Sequence, residues 1–266
     1  MSVLRIVDVE TDNIDGFVKI CIPEKWAGDK EFIEGYEIKC RWVSSVLKDY
    51  GSIGKIAYLD DIPVGMIQYL PRIDEKVYEI TCIFVLEEYT RRGIGRKLFD
   101  EAFNECCKPK PFFGDDVADA IVTWAFEVPG LYSQRKFFLK MGFIPADPSD
   151  PRLLYYPLKE GYIYKPRKAE YKALEEDCGR AVIFIGAVCP FSVYFANKIK
   201  ELINEVSEGY PIKFIYSFDE PEEVEKRGGY SYCIVNGYPI QSFFLDKESF
   251  KKEVSDAISR PCGYRI

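Results

Sequence analysis

The stretch from Glu79 to Phe103, EITCIFVLEEYTRRGIGRKLFDEAF, limits the possible folds of this chain more than any other part. It reads as a buried strand, a glycine-punctuated turn and an amphipathic helix in immediate succession. Ile80, Cys82, Ile83, Phe84 and Val85 are apolar and largely β-branched or aromatic, as a strand inside a sheet requires, while Leu98, Phe99, Ala102 and Phe103 recur at helical spacing. Between them, Arg91-Arg92-Gly93-Ile94-Gly95-Arg96 allows a tight turn that aims several backbone N–H groups at one point. Such a helix start carries unsatisfied donors and the positive end of the helix dipole, so it suits phosphate oxygens. Arg91, Arg92, Arg96 and Lys97 add positive charge in a chain whose formal net charge is −7.

Two common phosphate loops do not fit. There is no Gly-Lys-Ser/Thr ending, and Leu98 stands where a dinucleotide-binding turn needs its third glycine. The segment instead resembles the coenzyme A loop of the GNAT superfamily of N-acetyltransferases, Gln/Arg-x-x-Gly-x-Gly/Ala between the fourth strand and the third helix. Here that window reads Thr90-Arg91-Arg92-Gly93-Ile94-Gly95, departing only at Thr90. The order of the flanking segments is similar to that family. A strand over Val3–Val7, helices over Ile14–Ile22 and Lys30–Lys48, and a hairpin of Lys55–Leu59 and Val64–Leu70 turning at Asp60-Asp61 precede the loop. A strand over Ala120–Phe126 and a helix over Tyr132–Met141 follow it, and FFLKMGF resembles the family's aromatic-x-x-x-Gly-Phe ending.

The resemblance implies acetyl-CoA as co-substrate and an amine as acceptor, either a small molecule or a protein. It also assigns roles. The main chain of Ile83, Phe84 and Val85 would hold pantetheine, and Arg91, Arg92, Gly93, Ile94, Gly95, Arg96 and Lys97 would receive the pyrophosphate. A protonated amine cannot attack a thioester, so a base must take its proton. Glu79, opening the strand before the loop, is the first choice, with burial expected to raise its pKa. Glu127 is the second. Many members of the family place a tyrosine four residues before the helix-ending glycine as proton donor to the thiolate. Phe138 occupies that position, which leaves Tyr132 or water as donor, an unassisted thiolate, or lost catalysis. The first two helices, Lys30–Lys48 among them, and the loop Phe112–Asp119 are expected to shape the acceptor pocket.

Composition excludes several other chemistries. The chain has 266 residues and no histidine, which removes Ser-His and Cys-His hydrolases, a histidine base and the usual zinc sites. No metal is expected. The acidic balance argues against nucleic acid as partner, and no apolar run approaches the ~18 residues of a membrane span. With no signal-peptide pattern at the start, a cytoplasmic location is expected. Nine cysteines without a C-x-x-C pair read as buried thiols rather than a disulfide framework. Oligomeric state has no signature in the sequence.

A change of texture from Asp147 onward, DPSDPRLLYYPLKEGYIYKPRK, marks the end of the first domain. The expected organisation is a domain over 1–160, a linker over 161–180 that includes a charged helix Ala169–Asp177, and a second domain over 181–266. The second domain reads as strand Ala181–Ile185, helix Val193–Val206, strand Ile212–Tyr216, a hairpin of Ser231–Val235 and Ile240–Leu245 around Asn236-Gly237, and helix Lys247–Ile258. That order resembles the thioredoxin-like fold, and Cys189-Pro190-Phe191-Ser192 resembles the single-thiol site of monothiol glutaredoxins. A cysteine at a helix start is expected to have thiolate character, making Cys189 a possible thiol site. Two departures stand against redox chemistry: Ser192 replaces a second cysteine, and Ser231 replaces the proline that usually precedes the hairpin. The pairing of domains resembles GNAT proteins with a C-terminal YoaP-like domain. The expected fold class is α/β (α+β), a GNAT mixed sheet flanked by helices plus a smaller thioredoxin-like domain. The expected function is acetyl-CoA-dependent N-acetyl transfer, with a catalytically silent acyl-CoA sensor or a thiol-redox adaptor through Cys189 as alternatives.

Overall fold

The computed structural model describes residues 3–126, 132–167 and 169–264. It is a mixed α/β protein with two sheets, and its contacts divide the chain into two bodies. The first comprises residues 1–21 and 43–167, and the second comprises 22–42 and 168–266. The sequence places the break between domains in a single linker. The fold places residues 22–42 with the C-terminal body, so the helix Lys30–Tyr50 is shared between them.

The first body contains β1 (Leu4–Asp8), α1 (Ile14–Lys19), the end of α2 (Lys30–Tyr50), β2 (Gly54–Leu59), β3 (Ile62–Arg72), β4 (Val77–Val85), α3 (Ile94–Cys106), β5 (Ala120–Trp124), α4 (Gln134–Lys140), β6 (Ile144–Asp147) and β7 (Asp150–Pro157). Its seven strands run in the order β1-β2-β3-β4-β5-β7-β6. Every pair is antiparallel except β4 with β5. Asp60 and Asp61 turn the β2–β3 hairpin with φ of 49° and 68°, the left-handed pair that a two-residue turn demands. One sheet face is covered by α3, whose Leu98, Phe99 and Ala102 join Ile80, Phe138 and Phe143 in a single buried cluster. The other face carries a smaller cluster of Val77, Val122, Tyr155 and Tyr164. These two clusters bury both faces of the central strands, and β4 and β5 part company between them.

The second body contains the start of α2, β8 (Ala181–Ile185), α5 (Ser192–Val206), β9 (Ile212–Tyr216), α6 (Pro221–Lys226), β10 (Cys233–Val235), β11 (Tyr238–Pro239) and α7 (Lys247–Ser259). Its sheet order is β11-β10-β8-β9, with β8 and β9 parallel and β10 antiparallel to β8. Asn236 and Gly237 make the expected turn, at φ of 51° and 75°. The Asn236 side chain also accepts from the Gly179 amide and donates to the Ala257 and Arg260 carbonyls, tying the turn to both ends of the body.

Three expectations are corrected, and one helix is new. The connector is not a helix over Ala169–Asp177: only Glu175–Asp177 form a 3-10 turn, and Asp177 instead receives two bonds from the buried Arg227 guanidinium. Both side chains are fully buried, so each charge is met by the other. Ile240–Leu245 is not a strand, since β11 ends at Pro239 and the Gln241 and Ser242 amides go to the Glu253 carboxylate. Helix α6, started by Pro221, was not foreseen. Cys178 and Cys262 form a disulfide across 84 residues rather than resting as buried thiols; Cys106 and Cys233 are buried and free.

Candidate active site

The site starts where β4 leaves β5. Among the described residues the parallel pairing runs only from Val77↔Ala120 to Glu79↔Val122, whereas β4 continues to Val85 with β3 as its strand partner. Thr123 donates to the Ile80 carbonyl at 2.9 Å, satisfying the first group past the split. A bulge follows at once: Gln68 pairs with Cys82 and Tyr69 with Ile80, leaving Thr81 as the extra residue, its hydroxyl taken by the Gln68 amide at 2.7 Å. The main chain of Ile83, Phe84 and Val85 therefore lies on a strand whose β5 side is released from ladder pairing. A free strand edge offers fixed donors and acceptors to an extended ligand.

After β4, Glu87–Tyr89 makes a 3-10 turn and the chain enters α3 through two left-handed residues, Arg91 at φ 61° and Gly93 at φ 78°. The first helical bond is from Lys97 N to Gly93 O at 3.1 Å, and no side chain caps the helix. The leading N–H groups of α3 thus have no partner inside the helix. A Cβ built on Gly95 would meet Phe137 at 3.7 Å and Val85 at 3.9 Å, ordinary contact distances. Packing does not require glycine there. Among the basic residues, Arg92 bonds the Glu88 carbonyl and lies over Tyr89, and Arg96 pairs with Asp100. Arg91 and Lys97 are exposed and make no ion pair among the described residues. The turn that the sequence predicts is present, with a bare helix start and two uncommitted cations.

Glu79 lies on the sheet face of Val77, away from α3. Its carboxylate accepts from Arg72 Nη1 at 3.0 Å through Oε2, and Oε1 has no hydrogen bond among the described residues. Burial raises its pKa above the ordinary value, with Arg72 acting in the opposite direction and Glu75 in the same. The direction is the one the sequence reading expects. Arg72, Glu75 and Tyr164, which surround it, were not found by that reading: they are linked through the turn between β3 and β4 and a segment 89 residues downstream. No periodicity or motif marks such a set.

The remaining residues are placed as follows. Glu127 lies outside the described residues. Tyr132 is 62% exposed, and its hydroxyl accepts from Lys140 at 3.2 Å. Phe138 is 1% exposed and packs edge-on against Phe99 and Phe137 in the core beneath α3, so it fills space rather than facing a ligand. Asp116, in the loop after α3, is bonded by Lys76 and Lys159, both at 2.8 Å, which pins the loop to the turn before β4. In the second body, Cys189 is exposed at the start of α5, with Ser192 donating to its carbonyl at 2.9 Å. The described residues hold no group of three or more Cys, Asp or Glu arranged to bind a metal, and no described helix is long and apolar enough to cross a membrane.

No curated relative matches the chain. Among solved structures, the chain is similar to the PaiA N-acetyltransferase of Thermoplasma acidophilum in complex with coenzyme A, at 14% identity and TM-score 0.44 over 58% of this chain and 99% of that one. It is similar to a GNAT-family acetyltransferase of Staphylococcus aureus Mu50, at 17% identity and TM-score 0.44 over 59% and 100%. It is also similar to a GNAT-family acetyltransferase of Brucella melitensis in complex with acetyl-CoA, at 14% identity and TM-score 0.40 over 61% and 92%. Residues 52–145, from the start of β2 to the start of β6, match the family model of the acetyltransferase (GNAT) domain, and it is this segment that contains Glu79, the strand split and the glycine turn.

Proposed function

We propose that the protein is an acetyl-CoA-dependent N-acetyltransferase in which an amine attacks the bound thioester directly. The observation that carries this reading is the coincidence of a bare helix start with a strand edge released by its neighbour, both within one strand–turn–helix unit. In this reading the amides at the start of α3, with Arg91 and Lys97, receive the pyrophosphate. The main chain of Ile83, Phe84 and Val85 holds pantetheine as an added strand. Amides fixed on a rigid strand also stabilise the oxyanion without reorganising, usually the largest catalytic contribution.

Glu79 is the proposed base. Oε1, left open while Arg72 holds Oε2, takes the proton from the attacking amine. A C–N bond forms, the C–S bond breaks, and the coenzyme A thiolate leaves with its electron pair, taking a proton from water or from Tyr132. Partners in this reading are an amine acceptor, small or peptidic, and neither nucleic acid nor membrane. Purified protein mixed with acetyl-CoA and an amine panel is expected to release coenzyme A, and Glu79→Gln is expected to slow release about 10²-fold, as loss of a positioned base does. No release above background with any amine would end the enzyme reading.

Phe138 favours a second reading. The place where many of the resembling enzymes carry a tyrosine is here part of the core, which suits a protein that binds acyl-CoA without turning it over. Robust turnover abolished by Glu79→Gln would exclude it. For the second body we propose a thioredoxin-like unit, supported by its strand–helix–strand start, antiparallel β10–β11 and closing α7. A thiol reaction at Cys189 would require that residue's alkylation to change an activity of the protein.

A further inference from the structure

Glu79 is the visible end of a chain of side chains. Arg72, the last residue of β3, divides its guanidinium between two carboxylates, Nη1 to Glu79 Oε2 at 3.0 Å and Nη2 to Glu75 Oε1 at 2.9 Å. The other oxygen of Glu75 accepts from the Tyr164 hydroxyl at 2.5 Å. Glu75 and Tyr164 are almost wholly enclosed, with 4% of the Glu75 side chain and 2% of Tyr164 exposed, while the Glu79 side chain keeps 21%. Arg72 keeps 34%, so the Glu79–Arg72 end of the chain meets solvent and the Glu75–Tyr164 end is closed off. Tyr164 itself is fixed by packing against Tyr155 of β7 at 6.1 Å between ring centres.

A carboxylate that must accept a proton from a substrate needs one oxygen held and one free. A single-point bond to a flexible partner would not hold it. Arg72 can, because a planar fork bonded to two carboxylates has little rotational freedom left. From these contacts we propose that Arg72, braced by Glu75 and Tyr164, is the positioning residue of Glu79. The inference rests on the acetyl-transfer reading above for its purpose, and on geometry alone for its existence. Tyr164 lies beyond the segment that matches the acetyltransferase domain, so the brace is supplied by the chain that follows it.

The groups facing Glu79 are few. β3 contributes Arg72, the β3–β4 turn contributes Glu75, and β5 contributes Val122 opposite Glu79 in the ladder. Tyr164 bonds Glu75 and also interacts electrostatically with Glu79 itself. Asp74, next in the turn, is occupied by Arg167 at 3.2 Å. Arg72 stabilises the ionised form of Glu79 and Glu75 opposes it. Removing them must therefore move Glu79 in opposite directions.

The test is carbon NMR titration of the full chain carrying labelled glutamate carboxyls, without ligand, with the Glu79 signal assigned by its absence in Glu79→Gln. Arg72→Gln is expected to raise the Glu79 midpoint by about one pH unit, and Glu75→Gln to lower it by about half a unit. Arg72→Lys keeps the charge but not the fork. It is expected to leave the midpoint close to that of the natural protein while reducing acetyl transfer about tenfold, the signature of lost position rather than lost charge. Midpoints unchanged in Arg72→Gln and in Glu75→Gln would overturn the proposal. So would full activity in Arg72→Lys. Should Arg72→Gln fail to fold with two carboxylates unmet, Glu75→Gln decides alone, because it removes a charge without stranding one. Absence of turnover with every amine would refute the acetyl-transfer reading and leave the titration readable.

Discussion

Two helices in this protein begin in the same way and end up in different situations. Both α3 and α5 follow a buried strand through a short turn, and both starts lack a side-chain cap. At α3 the turn is exposed, Gly93 is left-handed and a Cβ on Gly95 would fit without strain. At α5 the turn is packed over on one side, although Cys189 is exposed. Pro190 is buried, and Phe191 meets Phe32 edge-on at 5.0 Å and Trp26 at 6.3 Å. Gly35 of α2 lies so close that a Cβ there would be 2.1 Å from the Pro190 carbonyl oxygen. Glu31 bonds Asn197 and Glu34 accepts from Tyr216, so the start of α2 is bound along its length to the second body. The comparison teaches that a bare helix start becomes a candidate anion site only when nothing else claims its surroundings. Glycine serves opposite ends in the two places: in α2 it lets two backbones touch, and in α3 it leaves room that the protein itself does not use.

The largest effect that would break this contrast is at Gly35. Gly35→Val places side-chain atoms inside the Pro190 backbone, and urea unfolding is expected to show a loss of about 3 kcal/mol in the second body. An unchanged midpoint would mean that α2 is not held there. Next is Gly95→Ala. It is expected to weaken acetyl-CoA binding at least tenfold, or about 1.4 kcal/mol, by calorimetry. Thermal stability should hold or rise slightly, because alanine is the better helix former. Equal losses of binding and stability would show that Gly95 serves packing after all.

Smaller effects sharpen the α2 side. Arg41 bonds both oxygens of Asp219, at 2.6 and 2.9 Å, and this bonding holds Asp219 below the usual carboxylate range. A carboxylate depressed in the folded state adds stability above its unfolded value of about 3.9 and loses it as pH falls through the folded value. Both side chains are substantially exposed, so Arg41→Met is expected to cost only about 0.5 kcal/mol at neutral pH, and nothing once Asp219 is protonated. A pH-independent difference between the two proteins would contradict the pairing. Smallest of all, Cys189→Ser is expected to change unfolding by less than about 0.5 kcal/mol and leave acetyl transfer intact, since the thiol is exposed at the turn. A loss of transfer would instead tie the two bodies' chemistry together.

What could be read from the chain alone follows the range of the interactions involved. The strand, turn and helix around Gly93 are set by neighbours a few residues apart, and so is the Asn236-Gly237 turn. Periodicity and turn chemistry expose such features. Residues 22–42 were read as part of the first domain because helical periodicity shows that a helix has an apolar face, not which body covers it. The Asp177–Arg227 pair, the Cys178–Cys262 disulfide and the Tyr164–Glu75 bond join residues 50, 84 and 89 positions apart. Each of them redirects local structure or builds the surroundings of Glu79, and none leaves a pattern in the intervening sequence. Phe138 was visible as a missing tyrosine, but its place in the core beneath α3 was not.

The most direct measurement is calorimetric titration of the intact protein with acetyl-CoA, coenzyme A and dephospho-coenzyme A. The expected result is micromolar binding of the first two and somewhat weaker binding of the third, which keeps the pyrophosphate that the start of α3 receives and loses only the charge of the 3′-phosphate. The absence of binding to all three would contradict the account, and would mean that the open helix start is an unused turn.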